Sequence, residues 1–334
     1  MPIVAHWTTL TEIEKLTESE LLAGVIQETY EEGQLLKVIP ATGISGKSLK
    51  WNREKTLPGG DFYDIGDSLD WKSDVDYDSV EFTLKRIIRQ DQIDEFVAKT
   101  YNNLNDYKAV LLKGLVRGVA RTAETKLLYG DASGKPKEFD GLHQLVTAGQ
   151  AIDGGQTALS LKDLRDLVDL VRPRPDILLM NKALANRIDF AAQFGVTSAD
   201  VNTIHQTGMT SFGQNEFGSR VTLFDGIPIV RSDYMTKEEE NTGVIGTAPR
   251  VSDTTKAQYS ILALRFGAID EGGVSLLVGA DTATTPDFFK IREFEALEDY
   301  DAGGIRLRAY MAIANGSTKS VAGLYDVTDA AVTM

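Results

Sequence analysis

One run, LNDYKAVLLKGLVRGVARTAETKLLYG at residues 104 to 130, constrains the fold more than any other stretch of the chain. Leu112, Leu115, Val116, Val119, Ala123 and Leu127 recur at intervals of three and four, which puts them on one face of a helix. Asn105 or Asp106 can cap its start, and Gly130 can stop it. At about 1.5 Å per residue such a helix runs roughly 36 Å. It needs a partner surface along its whole length, so it is expected to be the spine of the fold. Gly114 and Gly118 sit on successive turns and lower helix propensity, which predicts the close approach of another backbone there.

Ahead of the spine, residues 17 to 33 carry a capping box, Thr17 with Glu20, and an apolar face of Leu21, Leu22, Val25 and Ile26. They predict a short amphipathic helix that ends at Gly33. From Gln34 to about Leu84 the pattern is extended, bent at Gly43, Gly46, Pro58, Gly59, Gly60 and Gly66 and punctuated by Trp51, Phe62, Tyr63 and Trp71. That is the pattern of a long arm carrying aromatic contacts. Within it, residues 61 to 81 hold eight carboxylates against the single Lys72. A calcium loop starting at Asp74 would require Gly at its sixth position and Glu at its twelfth, where Ser79 and Lys85 stand. On a strand Asp74, Asp76 and Asp78 point one way and Val75 and Tyr77 the other, predicting a solvated acidic face.

ATGISGKS, residues 41 to 48, satisfies the loose form of a phosphate-binding loop. The geometry of such a loop requires a strand before it and a helix after it. LLKVIP could be the strand, but after Ser48 the residues Leu49, Trp51 and Arg53 alternate with Lys50, Asn52 and Glu54. That is a strand period. The stretch therefore reads as a Gly-rich turn entering a hairpin, with Lys47, Lys50, Lys55 and Lys72 as solvated arm lysines.

After the spine, residues 131 to 146 read as a loop and a short extended piece. Ser160 with Asp163 caps LKDLRDLVDLV, Pro173 and Pro175 break it, DILLM is a buried strand, and Asn181 caps KALANRIDFAAQFG. This helix, strand and helix suggest a compact α/β lobe. Strands follow: VTLFDGIPIVRSD turns at Asp225-Gly226, ILALRFG is expected to meet VSLLVG across EGG, and Ile305, Leu307, Ala309, Met311 and Ile313 alternate inward. The polar stretch at 236 to 258 is expected to be a mobile loop.

The chain has no cysteine, which removes disulfides and thiol chemistry. His6, His143 and His205 are far apart and read as structural or surface residues. No nucleophile elbow, dinucleotide fingerprint or zinc-protease motif is present, so no enzyme, cofactor or metal site is expected. No apolar run approaches 18 residues and no secretory leader is seen, which predicts a protein that acts in a cytoplasm, away from membranes. A net charge of −14 argues against tight nucleic-acid binding.

The order of arm, hairpin, spine, α/β lobe and closing strands resembles the major capsid proteins of tailed double-stranded DNA bacteriophages. This is the Hong Kong ninety-seven type shell fold, shared with encapsulins. The phrases that carry the resemblance are the extended arm from about 42 to 82, EFTLKRIIRQDQIDEFV leading into the spine, YGDASGKPKEFDGL with its FDGL phrase at 139 to 142, DILLMNKALANRI, and LFDGIPIVRSDYM. The resemblance implies an α+β chain: an N-terminal arm at 1–33, an extended β-hairpin loop at 34–84, a peripheral domain with the spine helix at 85–150, an α/β axial domain at 151–285, and peripheral closing strands at 286–334. Lys47, Trp51, Arg53, Phe62, Tyr63 and Trp71 would then be intersubunit contacts. The implied function is a capsid subunit that forms hexamers and pentamers around packaged DNA, without sequence-specific binding. The acidic balance would give a weakly repulsive inner wall. The implied partners are other copies, a separate scaffolding protein, a portal and decoration proteins, with assembly in the host cytoplasm and residence in the virion. The initial Met1 and the short N-terminal segment are what point to a separate scaffold. Two other readings stay open: an encapsulin-like compartment enclosing enzyme cargo, and a P-loop-like nucleotide-binding protein.

Overall fold

The computed structural model describes residues 34–56, 58–68, 76–94, 107–194, 210–214, 220–238, 257–279, 290–294 and 302–333. The helix expected at 17–33, its cap, Trp71, Lys72, Asp74, Val75, Asn105, Asp106, His6, His205 and most of the polar loop lie outside them. The chain is α+β, built on two large sheets and one separate two-stranded ribbon.

The first sheet has five strands. β1 (Ala41–Ile44) pairs in parallel with β11 (Val274–Gly279), which pairs antiparallel with the long β13 (Ala302–Asn315). β13 also pairs with β12 (Lys290–Phe294) and with β4 (Lys85–Asp94). Ile305, Leu307, Ala309, Met311 and Ile313 are all buried, as the alternation predicts. The second sheet runs β5-β14-β10-β6-β9-β8-β7, where β5 is Ala151–Ser160, β6 Ile177–Asn181, β7 Thr210–Gln214, β8 Arg220–Phe224, β9 Ile227–Ser232, β10 Gln258–Leu264 and β14 Val321–Thr333. Asp225 and Gly226, at φ 49° and 77°, form the two-residue turn between β8 and β9.

Helix α1 (Tyr107–Tyr129) is the spine, and it packs across β4 and β13. Leu115, Val119, Ala123 and Leu127 are buried, while Leu112 and Val116 are half-buried against the same core. The spine's glycines correct the expectation placed on them. A Cβ at Gly114 or Gly118 would meet nothing within 4 Å, so among the described residues no backbone approaches either. The close approach occurs instead where the helix ends. The Gly130 amide donates to the Lys126 carbonyl at 2.8 Å, and the Gly141 amide donates to the Gly130 carbonyl at 2.9 Å. Residues 142–145, expected to be extended, form one helical turn that starts on this crossing.

Helix α2 (Leu161–Leu170) starts at Ser160, whose hydroxyl accepts from the Lys162 amide. Helix α3 (Lys182–Phe194) starts at Asn181, whose Oδ1 accepts from the Ala183 amide. Both helices cover the second sheet through Leu164, Leu167, Leu184 and Ile188. Two further expectations are corrected. β10 and β11 lie in different sheets and are joined near their ends by the Phe266–Val274 bridge. Both strands are buried almost throughout, so their sequences carry no alternation that could select a partner. Strand pairing links distant parts of the chain, since β11 lies beside β13 in the first sheet and β14 lies within the second. Finally, Leu35–Val38, weighed as a strand, is a single helical turn. Its Leu36 amide donates to the buried Glu124 of the spine at 2.9 Å.

Candidate functional site

Turn residues Ser45, Gly46 and Lys47 lead from β1 into the ribbon, with Gly46 at φ 124°. β2 (Ser48–Thr56) then pairs antiparallel with β3 (Asp76–Thr83), from Ser48 opposite Thr83 to Thr56 opposite Asp76. At about 3.3 Å per residue the paired ribbon reaches roughly 27 Å from its root. The strand period of Leu49 and Trp51 is confirmed, for Leu49, Trp51 and Arg53 are half-buried and Lys50, Asn52 and Glu54 exposed. With a helical turn before ATGISGKS and a strand after it, the site lacks the order that a phosphate-binding loop requires.

The six arm residues separate into two groups. Trp51 stacks on Phe82 of the opposite strand, with centroids 5.2 Å apart and planes at 14°. Arg53 donates from Nε to the Gly316 carbonyl at 2.8 Å and from Nη2 to the Asn315 carbonyl, and its guanidinium lies 5.9 Å from the Trp51 ring centroid. Within this chain, these two side chains anchor the ribbon at its root. Arg53→Ala removes both donors and is expected to lower stability by about 1–3 kcal/mol, read by urea unfolding followed by Trp fluorescence. Lys47, Phe62 and Tyr63 are exposed, and Trp71 lies outside the described residues.

At the outer end, the Asp64 amide donates to Asp67 Oδ2 and the Ile65 amide to Asp64 Oδ1, both at 2.8 Å, while Gly66 takes φ 100°. This turn holds Phe62 and Ile65 at 105% and 102% relative exposure, fully in solvent. Two fully exposed large apolar side chains beside three exposed carboxylates, Asp61, Asp64 and Asp67, are the chemistry of a contact surface. Ile65 was missed in the sequence, although its place beside a glycine in DFYDIGD was the available signal.

Sequence reasoning also missed a buried polar cluster. Glu238 Oε1 accepts from Ser260 Oγ at 2.6 Å and from Tyr129 Oη at 2.7 Å, and lies 3.3 Å from His143 Nε2. The His143 ring stacks on Tyr129 at 4.8 Å and tilts against Tyr325 at 5.7 Å. Burial pushes the Glu238 carboxyl up, but the charge interaction with His143 and the hydrogen bonds from His143, Ser260 and Tyr129 outweigh it, and the net direction is down. Burial, then the Glu238 charge, pushes the Tyr129 phenol well up. A Ser, a His and a Glu together suggest hydrolase chemistry. Yet Ser260 donates to the carboxylate and lies 3.5 Å from His143, and His143, Glu238 and Ser260 are all buried. The cluster is a latch joining the spine's end to the foot of the polar loop. Among the described residues no group of three or more metal-ligating side chains is assembled, and no helix is long and apolar enough to cross a membrane.

No protein-family model matches the chain. No curated protein matches it either. Solved structures do. The SrpI encapsulin of the holo complex from Synechococcus elongatus PCC 7942 superposes with a TM-score of 0.68 at 18% identity, over 98% of this chain and 99% of that one. The capsid of the native GTA particle gives 0.60 at 12% identity, over 93% and 94%. The fold is the Hong Kong ninety-seven type capsid fold. A further instance of this capsid fold, the capsid of cyanophage P-SCSP1u, gives 0.57 at 13% identity over 92% of each chain. In all three the match spans more than nine-tenths of both chains, so the capsid fold here is an architecture of the whole chain.

Proposed function

We propose that this chain is the subunit of a closed protein shell, assembling with copies of itself through the two-stranded arm. The observation that carries this reading is the arm: a ribbon anchored at its root by Trp51 and Arg53, projecting two fully exposed apolar side chains at its tip, on a capsid fold. A monomer gains nothing from that exposure. In a shell each subunit meets several neighbours, and modest contacts act together once the lattice closes. The five-stranded sheet with the spine is the periphery of the capsomer, and the seven-stranded sheet with α2 and α3 is its axial lobe. The role is structural, with no catalytic step.

In the first reading the shell is a phage head around double-stranded DNA, and the net charge of −14 supports contents that are held without sticking. In the second it is an encapsulin-like compartment, favoured by the TM-score of 0.68 over 98% of the chain. Electron microscopy of the expressed protein, alone and with any scaffold encoded beside it, tests both. Closed particles of uniform diameter are expected, and persistent monomers under every condition would refute the shell. Nuclease-resistant double-stranded DNA inside particles from infected cells supports the head; a co-purifying enzyme inside DNA-free particles supports the compartment.

A further inference from the structure

Beside the root of the arm lies a pocket of about 570 Å³ whose chemistry is the complement of the arm's tip. Ile44, Leu84 and Tyr310 give it apolar walls, and Lys47, Arg86 and Lys290 give it positive charge. No carboxylate is among its described lining residues, although the chain carries 49 acidic against 35 basic side chains. The tip presents the inverse: Phe62 and Ile65 fully exposed, interleaved with the exposed Asp61, Asp64 and Asp67. We infer that the tip of one subunit's arm, residues 58–68, docks in the root pocket of a second copy, with Phe62 and Ile65 against the apolar walls and the carboxylates on Lys47, Arg86 and Lys290.

The ribbon's geometry makes the contact intermolecular. Lys47 and Leu84 immediately flank the paired ribbon, whose strands stay in register out to Thr56 opposite Asp76. The outer end of the ladder therefore lies roughly 27 Å from the pocket, and Phe62 and Ile65 beyond it are fully exposed, not docked on their own chain. Tip and pocket are different surfaces, so the contact is heterologous, and a closing rotation turns it into a ring in which every copy both gives and receives an arm. The acidic tip and basic pocket fix the register and direction of docking, while the two apolar side chains supply the affinity.

This inference rests on the shell reading but is tested apart from it. A fluorescent peptide of residues 58–68 is titrated against the full chain, purified in a form whose assembly state is recorded by electron microscopy. Saturable binding is expected, weakened at least tenfold by K47E/R86E in the receptor and by F62A/I65A in the peptide, and weakened by added salt. A peptide in which Asp61, Asp64 and Asp67 are replaced by Lys is expected to bind K47E/R86E better than the wild-type receptor. If polyaspartate or DNA competes as well as the peptide does, and F62A/I65A costs nothing, the pocket is a general anion site and the inference fails. If K47E/R86E forms shells in wild-type yield, the inference also fails while the shell stands. Peptide binding that follows these charges in a protein that never assembles would sink the shell and leave the tip–pocket pair.

Discussion

Replacing Gly141 by alanine is expected to cost about 3 kcal/mol or more and to send much of the expressed chain into inclusion bodies. A Cβ there would stand 2.6 Å from the Gly130 nitrogen, 2.7 Å from the Leu128 oxygen and 2.8 Å from the Lys126 oxygen. All three are backbone atoms of the spine's last turn and of the glycine that follows it, so no flexible side chain can yield. The chain crosses the helix end at this point, and the crossing aligns Leu142 and Val146 with the core beneath. Gly118→Ala is the matched control. It has open space and a helical position, so it is expected to stabilise by about 0.5–1 kcal/mol. Urea denaturation of both variants measures the contrast. Equal stabilities would refute the account of the crossing.

Glu238→Leu should destabilise by about 3–5 kcal/mol, because Tyr129, Ser260 and His143 lose their common acceptor in a buried site. Glu238→Gln keeps an oxygen for the two hydroxyl donors and should cost only about 1–2 kcal/mol. The acid dependence has a definite sign. The carboxyl is held below its ordinary value, so its contribution is whole above the ordinary carboxylate range and disappears as pH falls through the lower folded value. Glu124 acts in the opposite sense. Burial raises its carboxyl, so ionising it as pH rises costs stability, offset in part by the Leu36 amide and Lys37. Melting temperature against pH for wild type and Glu238→Gln checks this. A shallower acid limb in the variant is expected, and an unchanged limb would remove Glu238 from the account.

Local structure was largely legible in the sequence. The inward row from Ile305 to Ile313, the Ser160 and Asn181 caps and the Asp225-Gly226 turn each depend on residues that are close in sequence. The FDGL phrase carried fold information for a physical reason now visible in Gly141, which no larger residue can replace. Partner choice was not legible. β10 and β11 are buried along nearly their whole length, and sequences without alternation do not say which strand lies beside them. β5 was overlooked because Gly154, Gly155 and Gln156 interrupt it, the last two at φ 60° and 59°, where the register against β14 shifts. In the arm, the sequence picked out its aromatic and basic residues but could not divide anchors from contacts. That division depends on Asn315 and Gly316, which lie more than 260 residues from Arg53 and accept its hydrogen bonds. The Glu238 latch draws on residues 129, 143, 238 and 260, a set that no local spacing could have suggested.

The place of β14 has a consequence for how the molecule is made. Residues 321–333 lie between β5 and β10, parallel to one and antiparallel to the other. As the chain leaves the ribosome, β5 and the β10-β6-β9 group are finished long before the strand that joins them has been synthesised. A nascent polypeptide that stops short of this strand presents two unfilled sheet edges and an uncovered face of α2 and α3. A copy that has not been read through to residue 333 therefore cannot complete its second sheet.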